Sequence, residues 1–148
     1  MKTMKKRYVL LLIVILIGTG WAQTPAAQKP VPGGYFVEHD SEIQRTEPGP
    51  HSGGGQTTAY SFFEKTPKLD LIFRKRALKP GSGIGYHVQT EDEIYYVVSG
   101  HGMMTADGKT FEVGPGTAVL TRTGSSHGLK QTGSEDLVII INYEQKKP

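Results

Sequence analysis

The chain has 148 residues, no cysteine, 19 glycines and a formal charge of +3. The excess charge is local: Lys2, Lys5, Lys6 and Arg7 are all in the first seven residues, and without residues 1–22 the chain holds 13 basic against 14 acidic side chains, a net charge of −1. The remainder has no basic excess that would indicate a nucleic-acid partner. With no cysteine, stability must come from packing and from any metal the fold binds, not from disulfides.

In chain order, the basic stretch is followed by an unbroken apolar run from Tyr8 to Ile17 and then by Gly18-Thr19-Gly20-Trp21-Ala22. A charged head, a short apolar run and small residues at Gly20 and Ala22 predict a secretory signal cleaved after Ala22, since the run is well short of the ~20 residues of a membrane span. The mature protein is therefore expected to be periplasmic or secreted, without a stable membrane anchor after cleavage. Residues 23–56 read as a loop-rich lead-in, with Pro30, Pro32, Pro48 and Pro50 and the run Gly53-Gly54-Gly55.

From Thr57 the pattern changes to short apolar or alternating runs separated by turn residues. The runs are 58–63, 69–78, 84–88, 94–99, 102–105, 110–113, 117–121, 127–131 and 137–143. Asp107-Gly108 is the strongest turn signal, because a two-residue hairpin turn needs positive φ at both positions. No segment holds a helical period. Nine closely spaced strands rich in Val, Ile, Tyr, Phe and Thr predict a single all-β sandwich or barrel domain over residues 57–148.

Chemistry concentrates in the middle of this pattern. His87 and Gln89 are two apart on one strand and so share a face. Glu93 heads an apolar strand, where an inward carboxylate is costly unless paired or coordinated. His127 opens a later strand after Gly124-Ser125-Ser126. If these strands line one interior, the four side chains offer two imidazoles, an amide oxygen and a carboxylate, a set suited to Fe, Mn, Ni or Zn. Singly, each histidine is more often a hydrogen-bonded structural residue than a ligand. Tyr95, two residues beyond Glu93, shares its inward face. His101 reads as solvated, and His39 and His51 lie in the loop-rich segment. For His51, beside the triple glycine, a surface loop and a place over the barrel mouth are both open. Phe73-Arg74-Lys75-Arg76 reads as a solvated outer face with one side chain directed in.

The arrangement resembles the cupin family. Its first motif, G(X)5HXH(X)3–4E(X)6G, is matched across residues 81–100 by Gly81, His87, Glu93 and Gly100; its second, G(X)5PXG(X)2H(X)3N, is matched across residues 116–131 by Gly116, Gly124 and His127. Three positions depart: Gln89 for histidine, Arg122 for proline and Gln131 for asparagine. The resemblance implies a double-stranded β-helix (jelly-roll) barrel with His87, Gln89, Glu93 and His127 as metal ligands. Gln89, an oxygen donor in place of imidazole, moves the expected preference towards Mn or Fe, with Zn or Ni less favoured.

The resemblance further implies a metal-dependent enzyme acting on a small oxygen-rich or carboxylate-bearing molecule, of isomerase, dioxygenase or decarboxylase type, with Tyr95 and Arg122 as candidate catalytic residues. The alternative is a non-catalytic binding module for a sugar or organic acid, its metal site weakened or lost through Gln89. A purely structural barrel is a third reading. Pairing into a homodimer through outer sheets is also implied, with strand-like sequence in residues 35–63 available to a neighbour's edge.

Overall fold

The computed structural model describes residues 33–145, so the expected signal and most of residues 23–34 lie outside the described residues. The barrel falls within the unit Tyr35–Pro148. After one helical turn (Asp40–Ile43) come β1 (Gln44–Pro48), a 3-10 turn (Pro50–Ser52), β2 (Gln56–Phe62), β3 (Leu71–Leu78), β4 (Gly83–Val88), β5 (Glu93–Ser99), β6 (Gly102–Ala106), β7 (Lys109–Val113), β8 (Ala118–Thr121), β9 (Ser126–Gln131) and β10 (Leu137–Glu144). They form a six-stranded sheet in the order β1-β2-β3-β10-β5-β8 and a four-stranded sheet in the order β4-β9-β6-β7. Every strand pairing is antiparallel. This is the jelly-roll barrel expected from the two motifs.

The nine strands expected from residue 57 onward are β2–β10. Asp107 and Gly108 take φ of 45° and 76° and join β6 to β7, the turn that the Asp-Gly pair requires. Along β5 the period-2 rule decides what faces in: Glu93, Tyr95 and Val97 are buried, whereas Ile94, Tyr96 and Val98 are exposed. Leu78, Met104, Leu137 and Ile139, each at most 1% exposed, fill the space between the sheets.

Two expectations are corrected here. Residues 44–48, read as part of a loop-rich lead-in, form edge strand β1, paired along its whole length with β2. The cause is non-local: the buried Arg76 guanidinium on β3 donates to Thr57 Oγ1 on β2 at 2.7 Å and to Glu47 Oε2 on β1 at 3.1 Å. Of residues 35–63, 44–48 and 56–62 are thus used within the chain's own sheet, with β1 at its edge. Secondly, β3 directs two of its basic side chains inward where one was expected. Arg74 and Arg76 both line the interior cavity, while Lys75, on the opposite face, pairs with Asp40 and lies 4.1 Å from the Tyr60 ring centre.

The Pro50–Gly55 loop packs directly on β4, and glycine makes this possible. A Cβ on Gly85 would lie 1.8 Å from the His51 carbonyl oxygen, and one on Gly53 would lie 2.3 Å from the Gly83 carbonyl oxygen. Gly85→Ala is therefore expected to lift this loop off the barrel and destabilise the protein by about 2–3 kcal/mol, as overpacking against rigid backbone does. Denaturant unfolding checks it, and a midpoint unchanged from the parent would refute the close contact.

Candidate metal centre and its cavity

β4, β5 and β9 bring the expected residues together. His87 sits opposite His127 in the β4–β9 register, and Glu93 heads β5 on the facing sheet. One potential ligand atom from each of His87, Glu93 and His127 lies within 4.8 Å of those of the other two. His87 is half-buried, and the other two are buried. His87 Nδ1 lies 2.8 Å from the Gly85 carbonyl oxygen. That contact makes Nδ1 the protonated nitrogen and leaves the Nε2 lone pair for an ion.

His127 is fully buried, with Nε2 at 3.2 Å from Glu93 Oε2 and 3.1 Å from the Tyr95 hydroxyl, while its Nδ1 has no hydrogen-bond partner among the described residues. Gln89 follows β4 and turns its side-chain NH2 to Glu93 Oε2, so its carbonyl oxygen is the atom left for coordination. Its backbone is pinned from both sides, its N–H donating to Ser125 O at 2.8 Å and its C=O accepting from Gly124 N–H at 2.9 Å.

The donor set fits a divalent ion. Glu93 is 7% exposed, and among the described residues its one ion-pair partner within 4 Å is the His127 imidazole, with no arginine or lysine beside it. A buried carboxylate whose direct contacts are an amide and an imidazole, with no fixed positive charge within 4 Å, is a position that a bound cation would compensate. Burial first, then the Glu93 charge, pushes the Tyr95 hydroxyl well above the usual tyrosine range. Tyr95 therefore keeps its proton on Oη beside the cluster.

His87, Gln89, Glu93 and Tyr95 line a cavity of about 430 Å³, together with Arg74, Arg76 and Tyr143, with His127 fully buried behind them. A larger concavity, about 590 Å³ beside Tyr86, Met103 and Lys130, contains none of the clustered residues. Of the two candidate catalytic residues, Tyr95 belongs to the cluster and Arg122 does not. Arg122 is largely exposed and pairs through Nε with Asp92 Oδ2 at 2.8 Å, on a different concavity bounded by Glu91, Thr123 and Glu144.

His51 is the addition the sequence left open. Its ring stacks on His87 with centroids 3.5 Å apart and planes 6° from parallel. Partial burial, and then the His87 charge, lower its pKa from the usual histidine value. A neutral His51 thus forms the wall of the cavity over one ligand. The signal was present in the sequence as Gly83 and Gly85 in a strand, since strand glycines mark close backbone approach.

The Cupin domain family matches residues 75–143, which contain every residue of the cluster. Residues 75–143 of the barrel thus match a cupin domain. An oxalate-binding protein of Thermotoga maritima is 37% identical to this chain over 67 residues, 45% of this chain and 55% of that protein. The chain therefore spans little more than half the length of that curated relative. The crystal structure of a predicted oxalate decarboxylase from Thermotoga maritima superposes with a TM-score of 0.67 at 28% identity, covering 75% of this chain and all of that one. A polyketide cyclase from Streptomyces resistomycificus shares the fold, with a TM-score of 0.63 at 20% identity over 78% of this chain and 82% of that one.

Proposed function

We propose that this protein is an exported, metal-dependent cupin that binds and turns over a small carboxylate-bearing molecule, with decarboxylation the favoured reaction class. The carrying observation is the convergence of His87, Glu93 and His127 within 4.8 Å, with His87 and Glu93 at the wall of a cavity that two arginines also line. His87 Nε2, a His127 ring nitrogen, a Glu93 oxygen and the Gln89 carbonyl would hold the ion, and this N/O set suits Mn or Fe. With one carboxylate among neutral ligands, a divalent ion keeps a net charge of about +1, and when bound it polarises a substrate oxygen as a Lewis acid. Tyr95 holds a proton at Oη next to that position, and His51 covers His87 against solvent.

The likeness to an oxalate-binding protein of Thermotoga maritima, and to the crystal structure of a predicted oxalate decarboxylase from the same organism, supports the carboxylate class. Binding without turnover is the second reading, and a particular contact favours it: the Gln89 amide closes on Glu93, occupying one of the carboxylate's acceptor positions. Export rests on residues 1–22. Pairing with a second copy rests on the exposed outer row Ile94, Tyr96 and Val98 beside Leu120.

The purified protein, loaded with manganese, is expected to bind oxalate and to release formate and carbon dioxide from it, whereas metal-stripped protein does neither. The same preparation should begin at Gln23 and sediment as a pair. Saturable oxalate binding without product would leave the binding reading. Equal behaviour with and without metal would refute a metal-dependent function, and an intact N-terminus would refute cleavage.

A further inference from the structure

Two guanidinium groups enter the cavity from β3, and the fold treats them differently. Arg76 is satisfied by Thr57 Oγ1 and Glu47 Oε2. Arg74 is not. Its buried Nε has no hydrogen-bond partner among the described residues, and no carboxylate there pairs with it within 4 Å. Its CZ lies 5.8 Å from the centre of the Tyr143 ring, near the outer limit of a cation–π contact. Leaving a guanidinium N–H buried and unpaired is costly, so a missing anion is the simplest way to complete this group.

The register says how far that anion is from the cluster. Arg74 pairs with Ile141 on β10, which pairs in turn with Tyr95 on β5. Arg74 and Tyr95 thus stand two strands apart in one inward row, a backbone separation of roughly 10 Å. Both side chains line the same cavity of about 430 Å³, which has room for a small organic anion.

We propose that Arg74 is the anion-binding arm of this cavity, pairing its planar fork with the carboxylate of a small ligand whose other oxygens face His87, Glu93 and His127. The inference rests on the carboxylate reading above and adds the group that selects for it. A guanidinium presents parallel N–H donors that match a carboxylate, which a lysine ammonium does not.

Isothermal titration with oxalate, on manganese-loaded and metal-stripped protein, tests the arm in the parent, Arg74→Met and Arg74→Lys. Bound manganese and melting temperature are measured for each. Arg74→Met is expected to weaken oxalate binding at least about thirtyfold, the cost of removing one partner of a buried charge pair. Arg74→Lys should be intermediate, at about tenfold weaker, and manganese content should match the parent in both. Parent-like oxalate affinity in Arg74→Met overturns the arm, as does a parent that binds no oxalate in either state. If Arg74→Met does not fold, Arg74→Lys decides, and parent-like affinity there overturns it equally. The two readings fail separately. Oxalate binding that needs manganese but ignores Arg74 keeps the metal centre and removes the arm. Binding that ignores manganese but is lost in Arg74→Met keeps the arm and removes the metal dependence.

Discussion

Changing His87 and His127 together to alanine is expected to take bound metal from about one equivalent per chain to less than about a tenth, because binding needs these deprotonated nitrogens in place. The two imidazoles are half of the four proposed donors and all of the nitrogen. What remains, Glu93 and the Gln89 carbonyl, is a carboxylate and an amide that an ion in water has little reason to prefer over its own hydration. His127 is also fully buried and contacts both Glu93 Oε2 and the Tyr95 hydroxyl. Its truncation leaves a cavity and removes those contacts, and the double variant should therefore melt lower as well. His87→Ala alone separates the two effects, since His87 is only half-buried. It should lose most of the metal with a smaller change in stability. Full metal content in the double variant, measured by elemental analysis, would place the ion somewhere else.

Gln89→His is expected to shift the metal preference in the opposite sense from alanine substitutions, strengthening zinc and nickel binding on the order of tenfold or more relative to manganese. The backbone at this position is held on both sides by Gly124 and Ser125, so a new imidazole enters the space of the present amide, beside Glu93. It replaces a neutral oxygen donor with a nitrogen one. It also ends the Gln89–Glu93 contact and frees a carboxylate position. Competition against a chromophoric chelator would measure the change for each ion. Unaltered zinc and nickel affinities would mean that position 89 does not face the ion, and the Mn/Fe preference would lose its physical basis.

Much of the barrel was legible because its signals are local. Alternation along β5 and the Asp107-Gly108 turn act within a few residues, and the strands from β2 onward fall within about two residues of the sequence pattern. The candidate site was legible because the two motifs carry its residues in sequence, although only the β4–β9 register places His87 opposite His127. What escaped was decided across the fold. Pro48, Pro50 and the triple glycine locally favour a loop, yet the Arg76–Thr57–Glu47 contacts draw residues 44–48 into the sheet. Charged residues on a strand suggest a solvated face, and nothing nearby in sequence shows that Arg74 and Arg76 face a polar cavity instead. His51 depended on a loop seating against glycines more than thirty residues away.

The position of β10 has a kinetic consequence. It is the final strand of the barrel, yet it lies in the middle of the larger sheet, paired with β3 on one side and β5 on the other. It also contributes Leu137, Ile139 and Ile141 to the core. Until it arrives, β1-β2-β3 and β5-β8 are two fragments with nothing between them. Most of the loop-closure entropy must therefore be lost before the rewarding contacts form. Such a chain should collapse late and refold slowly, on a millisecond-to-second scale. Its nascent form, lacking residues 137–144, would expose the very strand edges to which partner chains and chaperones attach.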